Sequence, residues 1–202
     1  MEVEMTYGEL KKRICAVLDL SSSGAVNIST SSMIEEALPG AVDAASRKIA
    51  AVLRCIVKRA VIQTSVEDGI YCAELPSDHL GTRMVISNGN KCSFDNIAVC
   101  GGKIYSSEQL CEEICLFYYA YPASVSLMDD DAVLEFDDGT CDILTFGAAM
   151  ELCATAYPGD YRRYSVLATE YDERMADALM HGSIGGGIVN SMFGKRRIGY
   201  GI

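Results

Sequence analysis

The sequence predicts an α+β fold that is mainly α. It consists of an antiparallel bundle of about four helices, a small antiparallel β-sheet inserted between the second and third helices, and an extended C-terminal arm. Three observations carry that expectation. Two apolar stripes of helical period flank the turn Tyr157-Pro158-Gly159-Asp160, within residues 140–181. A longer stripe of the same period runs from Leu38 to Ala60. From Glu67 the apolar residues switch to a period of two, cut into short pieces by Pro, Asn-Gly and Gly-Gly. The chain therefore divides into residues 1–66 and 139–181 as the helical bundle, 67–138 as an inserted β subdomain, and 182–202 as the arm.

Taken in order, Thr6-Tyr7-Gly8-Glu9 has capping-box spacing and opens a short amphipathic helix through Leu10, Ile14, Val17 and Leu18. Residues 21–32, rich in Ser, Thr, Gly and Asn, read as a loop. Ser32-Met33-Ile34-Glu35 repeats the capping pattern and starts the longest helix. Its apolar face is Leu38, Val42, Ala45, Ile49, Leu53, Ile56 and Ala60, and its polar face holds Asp43, Arg47, Lys48, Arg54, Lys58 and Arg59. Strands follow at Ile70–Leu75, Met84–Ser87, Ile97–Cys100, Lys103–Tyr105 and Ile114–Tyr121, with tight turns at Asn88-Gly89 and Gly101-Gly102. The third helix carries almost no charge, so it is expected to be the more buried of the last pair. Pro158 stops it and Asp160 caps the fourth. The expected helical core is Ile14, Val17, Ile49, Leu53, Ile56, Ile143, Phe146, Met150, Leu167 and Tyr171.

Composition bounds the function. Two hundred and two residues, half of them apolar, suit one domain with an embellishment or two small ones. The net charge of −11 resides in residues 67–138, which hold fourteen Asp or Glu against three Lys or Arg. Such a segment cannot grip nucleic-acid phosphates. The nine cysteines are an odd, scattered set, several lying in apolar runs where they act as small hydrophobes. The N-terminus reads as lacking a signal peptide, which predicts synthesis in a reducing cytoplasm. No apolar run reaches the roughly 18 residues of a membrane span.

The search for reactive chemistry is mostly negative. Cys111 and Cys115 are spaced C-x3-C with no second pair at zinc-site spacing. His79 and His181, the two histidines, stand outside any recognisable nucleophile motif. Asp129-Asp130-Asp131 lacks the alternating ligands and closing Glu of a calcium loop. Gly185-Gly186-Gly187 neither follows a strand nor opens a helix. The expectation is a non-enzyme with no cofactor and no metal.

The order of elements resembles that of the head–tail adaptor proteins of tailed bacteriophages, also called connector, neck or head-completion proteins. Thr6-Tyr7-Gly8-Glu9-Leu10 looks like their opening TY-x-E-L helix. Ala45 with Ile49-Ala50 looks like their A-x-x-x-I-A helix. Tyr71, Leu75-Pro76 and Asp78 are similar to their strand end. Asn88-Gly89, Tyr118-Tyr119-Ala120-x-Pro122, Gly147-Ala148-Ala149 and Tyr157-Pro158-Gly159-Asp160 follow in the same order. The resemblance covers about residues 6–180 and implies a structural virion protein. Such a protein forms a homo-oligomeric ring, commonly of twelve, below the portal protein. It joins the capsid vertex to a tail or nozzle protein and leaves a channel through which DNA passes without specific binding. It implies location at the head–tail junction of the virion, with no membrane.

Beyond Gly182 and Gly185–Gly187, the candidate portal-binding residues are Met192, Phe193, Lys195, Arg196, Arg197 and Tyr200. They combine sparse apolar anchors with three cations suited to an acidic groove. Two other readings compete. A small DNA-binding regulatory protein would use Lys11-Lys12-Arg13 and the face around Arg54, Lys58 and Arg59. A cysteine-dependent hydrolase would pair a thiol with His79.

Overall fold

The computed structural model describes residues 5–20 and 32–181, with the side chains of Leu20 and His181 excepted. The helices are α1 (Tyr7–Leu20), α2 (Ser32–Leu53), α3 (Asp138–Ala156) and α4 (Tyr161–His181). The strands are β1 (Val57–Glu67), β2 (Ile70–Glu74), β3 (His79–Ser87), β4 (Asn90–Lys91), β5 (Ile97–Cys100), β6 (Lys103–Ser106) and β7 (Glu113–Ala120).

The expected helical bundle with a small inserted sheet is corrected. All seven strands join one antiparallel sheet in the order β4-β3-β7-β1-β2-β6-β5, a principal layer beside the helices. The difference originates at the end of α2. That helix stops at Leu53, where Arg54 takes a left-handed conformation (φ 51°) with its N–H on the Ala50 carbonyl at 2.9 Å. Val57–Glu67, part of which was expected to continue the helix and close the bundle unit at residue 66, is instead the longest strand. Its residues Val57, Val61, Ile62, Thr64 and Val66 are β-branched and fit a pleated surface flanked on both sides. Helical spacing through Ile56 and Ala60 was overridden by that pairing.

β1 also changes partners along its length. Val57 to Gln63 pair with β7, from Val57↔Tyr119 to Gln63↔Glu113, whereas Thr64 to Glu67 pair with β2. At the handover the Thr64 N–H reaches the Glu112 carbonyl at 2.8 Å and its hydroxyl donates to the Cys111 carbonyl. Three tight turns close the hairpins at Asp68-Gly69, Asn88-Gly89 and Gly101-Gly102. Both central residues of each have positive φ, as the right-handed strand twist requires.

α3 is the hub of the helical layer, packing against α1, α2 and α4. It buries Ile143, Leu144, Gly147, Ala148, Ala149, Leu152 and Cys153, so small residues let its neighbours approach closely. Of the expected core, Ile14, Ile49, Ile56, Ile143 and Leu167 are buried, and Val17, Leu53, Phe146, Met150 and Tyr171 are half-buried around them.

The caps follow from sequence. Thr6 Oγ1 accepts from the Glu9 N–H at 3.3 Å while Glu9 Oε2 accepts from the Thr6 N–H at 3.0 Å, a reciprocal capping box. Asp137 Oδ1 accepts from the Thr140 N–H at 2.7 Å, and Asp160 Oδ1 from the Arg163 N–H at 3.1 Å. Residues 121–136 run from the sheet to α3 and are pinned along the way. The Val125 N–H donates to Asp43 Oδ1 at 2.8 Å. The first two N–H groups of α1, on Tyr7 and Gly8, donate to the carbonyls of Ala132 and Asp130 at 2.9 and 2.8 Å.

Candidate protein-docking face

β7 alternates Ile114, Leu116, Tyr118 and Ala120, all buried, with Cys115, Phe117 and Tyr119, which are half-exposed on the other face. Above the outer residues, and continuing to Tyr121, stands a row of arginines. Arg47 of α2 lies 5.7 Å from the Tyr121 ring centre, Arg54 lies 5.6 Å from Tyr119, and Arg59 of β1 lies 5.9 Å from Phe117. Residues at every second position of a strand are about 7 Å apart, and each of these three rings has its own guanidinium. Arg59 Nε also donates to Cys115 Sγ at 3.0 Å. Among the described residues, none of the three guanidiniums lies within ion-pair distance of a carboxylate. Their forks are therefore open for bidentate pairing. Val57 and Val61, 40% and 58% exposed, pair in register with Tyr119 and Cys115 and extend the apolar surface.

The inner face ends in a different arrangement. Lys58 Nζ lies 3.0 Å from Asp78 Oδ2 and 2.8 Å from Glu135 Oε1. The Tyr118 hydroxyl donates to Asp78 Oδ1 at 3.0 Å, and Glu135 Oε2 accepts from the Ala123 N–H at 3.0 Å. His79 stacks on Tyr118 with ring centres 5.7 Å apart, and its Nε2 is 3.0 Å from Thr82 Oγ1.

None of the resolved shifts here moves a group's titration closer to pH 7. Burial works against charge on Lys58, but hydrogen bonds to Glu135 and Asp78 raise its pKa. Burial likewise opposes ionisation of Asp78, yet Lys58 and Tyr118 hold its carboxyl below the usual range. Burial and the Asp78 acceptor push Tyr118 up, and burial pulls His79 down. At neutral pH the cluster holds Lys58 and Asp78 charged beside a neutral imidazole. It clasps β1, β3 and β7 to the segment leading into α3.

A third feature is the segment 126–133. Leu127 is 89% exposed, Val133 is 47% exposed, and Asp129, Asp130 and Asp131 are exposed between them. Asp130 pairs with Lys11. Among the described residues no three His, Cys, Asp or Glu side chains converge in a way that could hold a metal ion.

The sequence-derived sites can now be placed. Met192, Phe193, Lys195, Arg196, Arg197 and Tyr200 lie outside the described residues. The basic face attributed to a DNA-binding regulator is divided: Lys11 and Arg13 face Asp130, Asp138 and Asp142, Lys58 is held by two carboxylates, and Arg54 and Arg59 join the aromatic row. Cys111 and Cys115 meet Thr64, Ser87 and Arg59 through hydrogen bonds. The row itself escaped sequence reading because Arg54 and Arg59 had been assigned to a helix. The Asp68-Gly69 pair, a tight-turn signal following Val57–Glu67, marks the strand that reveals it.

No protein-family model matches the sequence, and the curated proteins likewise give no match.

Proposed function

We propose that this chain is a structural subunit of a tailed-bacteriophage virion, a head–tail adaptor. It assembles as a ring below the portal protein, joins the capsid vertex to a tail or nozzle protein, and leaves a channel for DNA. The observation that carries this reading is the outer sheet face, where apolar side chains stand with three guanidiniums that have no ion pair among the described residues. That combination suits a protein neighbour, because aromatic and arginine side chains dominate the centres of protein interfaces. The order of motifs across residues 6–180 supplies the class of assembly. The acidic middle third is suited to lining a DNA path without gripping it, since like charge repels the phosphate backbone.

The role is tested in the infected cell. Particles made without this chain should package DNA into heads that carry no tail, and supplying the chain in trans should restore joining. Tailed, infectious particles in its absence would refute the role.

A further inference from the structure

We propose that the arginine–aromatic row is the seat for segment 126–133 of a second copy of this chain, so that copies join head to tail. The inference rests on the ring assembly proposed above and identifies the contact that builds it.

The two surfaces complement each other. The row offers Arg47, Arg54 and Arg59 over aromatic rings, with Val57 and Val61 alongside and no carboxylate partner among the described residues. The segment offers the reverse. Leu127, the most exposed large apolar side chain among the described residues, sits beside Asp129 and Asp131, neither of which has an ion pair there. The segment is also preorganised. Val125 N–H is held by Asp43 at 2.8 Å, Gly8 N–H by the Asp130 carbonyl at 2.8 Å, and Leu134 N–H by the Met5 carbonyl at 3.0 Å. Little conformational freedom is lost when such a knob docks.

Charge selects the occupant. Copies of a chain with net charge −11 repel one another at a distance, so a stable contact between them must match local opposites. Among the described residues, a cationic row without ion pairs and a knob whose Asp129 and Asp131 lack them supply that match in every copy. Because the two patches are different residues, the contact is heterologous, the kind that closes into rings. A single nucleic-acid strand is the less suited occupant: the ring faces that would stack on bases are already covered by guanidiniums.

Sedimentation over a range of concentrations tests this with two variants. One reverses the row, Arg54→Glu with Arg59→Glu. The other, Leu127→Lys, sets a cation against the row at a side chain whose exposure makes it neutral to folding. The wild-type chain should associate, less so in added salt, and each variant should associate at least about tenfold more weakly while keeping the wild-type melting temperature. An equimolar mixture of the two variants retains one intact row and one intact knob, so it should form dimers and nothing larger. Wild-type association that both variants retain would overturn this contact while leaving ring assembly standing. A wild-type chain that stays monomeric at every concentration would count against both. Salt-sensitive retention of DNA that is lost in the row variant would assign the row to nucleic acid instead.

Discussion

Gly147 and Tyr171 meet so closely that a Cβ on the glycine would stand 3.0 Å from Cε2 of the tyrosine ring. Ala45 closes the same point from α2, with its Cβ 3.3 Å from that position. Three helices thus converge where one residue has no side chain. Replacing Gly147 by Ala sets about 1 kcal/mol of gained helix propensity against about 1–3 kcal/mol of overpacking. The expected result is a net loss of stability on chemical denaturation. Gly40, in α2 with nothing within 4 Å of its would-be Cβ, is the internal control. There Gly40→Ala should stabilise by about 0.5–1 kcal/mol. Equal effects at both positions would contradict the packing described.

Acid should act on the inner clasp in two steps. Burial lowers the His79 pKa below its ordinary 6.5, so on acidification the unfolded chain takes up this proton before the folded one does. Stability therefore falls as pH drops through about 6.5, and His79→Gln should flatten that part of the profile. Asp78 acts in the same direction at lower pH. Its carboxyl is lowered in the folded state, so its contribution is present above about 3.8 and is lost only below that, as pH falls through the folded value. Denaturation midpoints at pH 7.5 and 5.5 decide the first step. An unchanged slope in His79→Gln would assign it elsewhere.

Thiol reactivity should map the layers. Burial pushes the Cys141 thiol up to about 12, and it lies fully buried in α3, whereas Cys100 is exposed at the end of β5. Alkylation of the native protein at pH 8 should therefore modify Cys100 at least about a hundredfold faster than Cys141, with the gap closing in denaturant. Mass spectrometry of tryptic peptides reads both rates. Comparable labelling in the native state would mean that α3 is not the hub.

Much of the fold is legible because its signals are local. The capping box at Thr6 and Glu9, the Asp160 cap, and the Asn88-Gly89 and Gly101-Gly102 turns each depend on residues within a few positions. What could not be read from α2 outward is non-local. Ile56 and Ala60 satisfy a helical spacing and a strand face equally well, and the choice is made by β7, more than fifty residues later in the chain. The docking row depends on that same choice. Once Arg59 lies on a strand opposite Phe117, and Arg54 turns left-handed above Tyr119, residues assigned to a helix face become a cationic row on a sheet. The clasp of Lys58 with Asp78 and Glu135 is equally remote in sequence, joining three separate stretches of the chain.

The mass of the purified protein, measured alone and after mixing with the portal protein it is proposed to meet, tests the central claim most directly. A ring-forming adaptor should give one complex of fixed stoichiometry, an integral number of copies per portal assembly and about twelve by resemblance, with an open channel in electron micrographs. A chain that remains monomeric at every concentration and leaves the portal mass unchanged would contradict it.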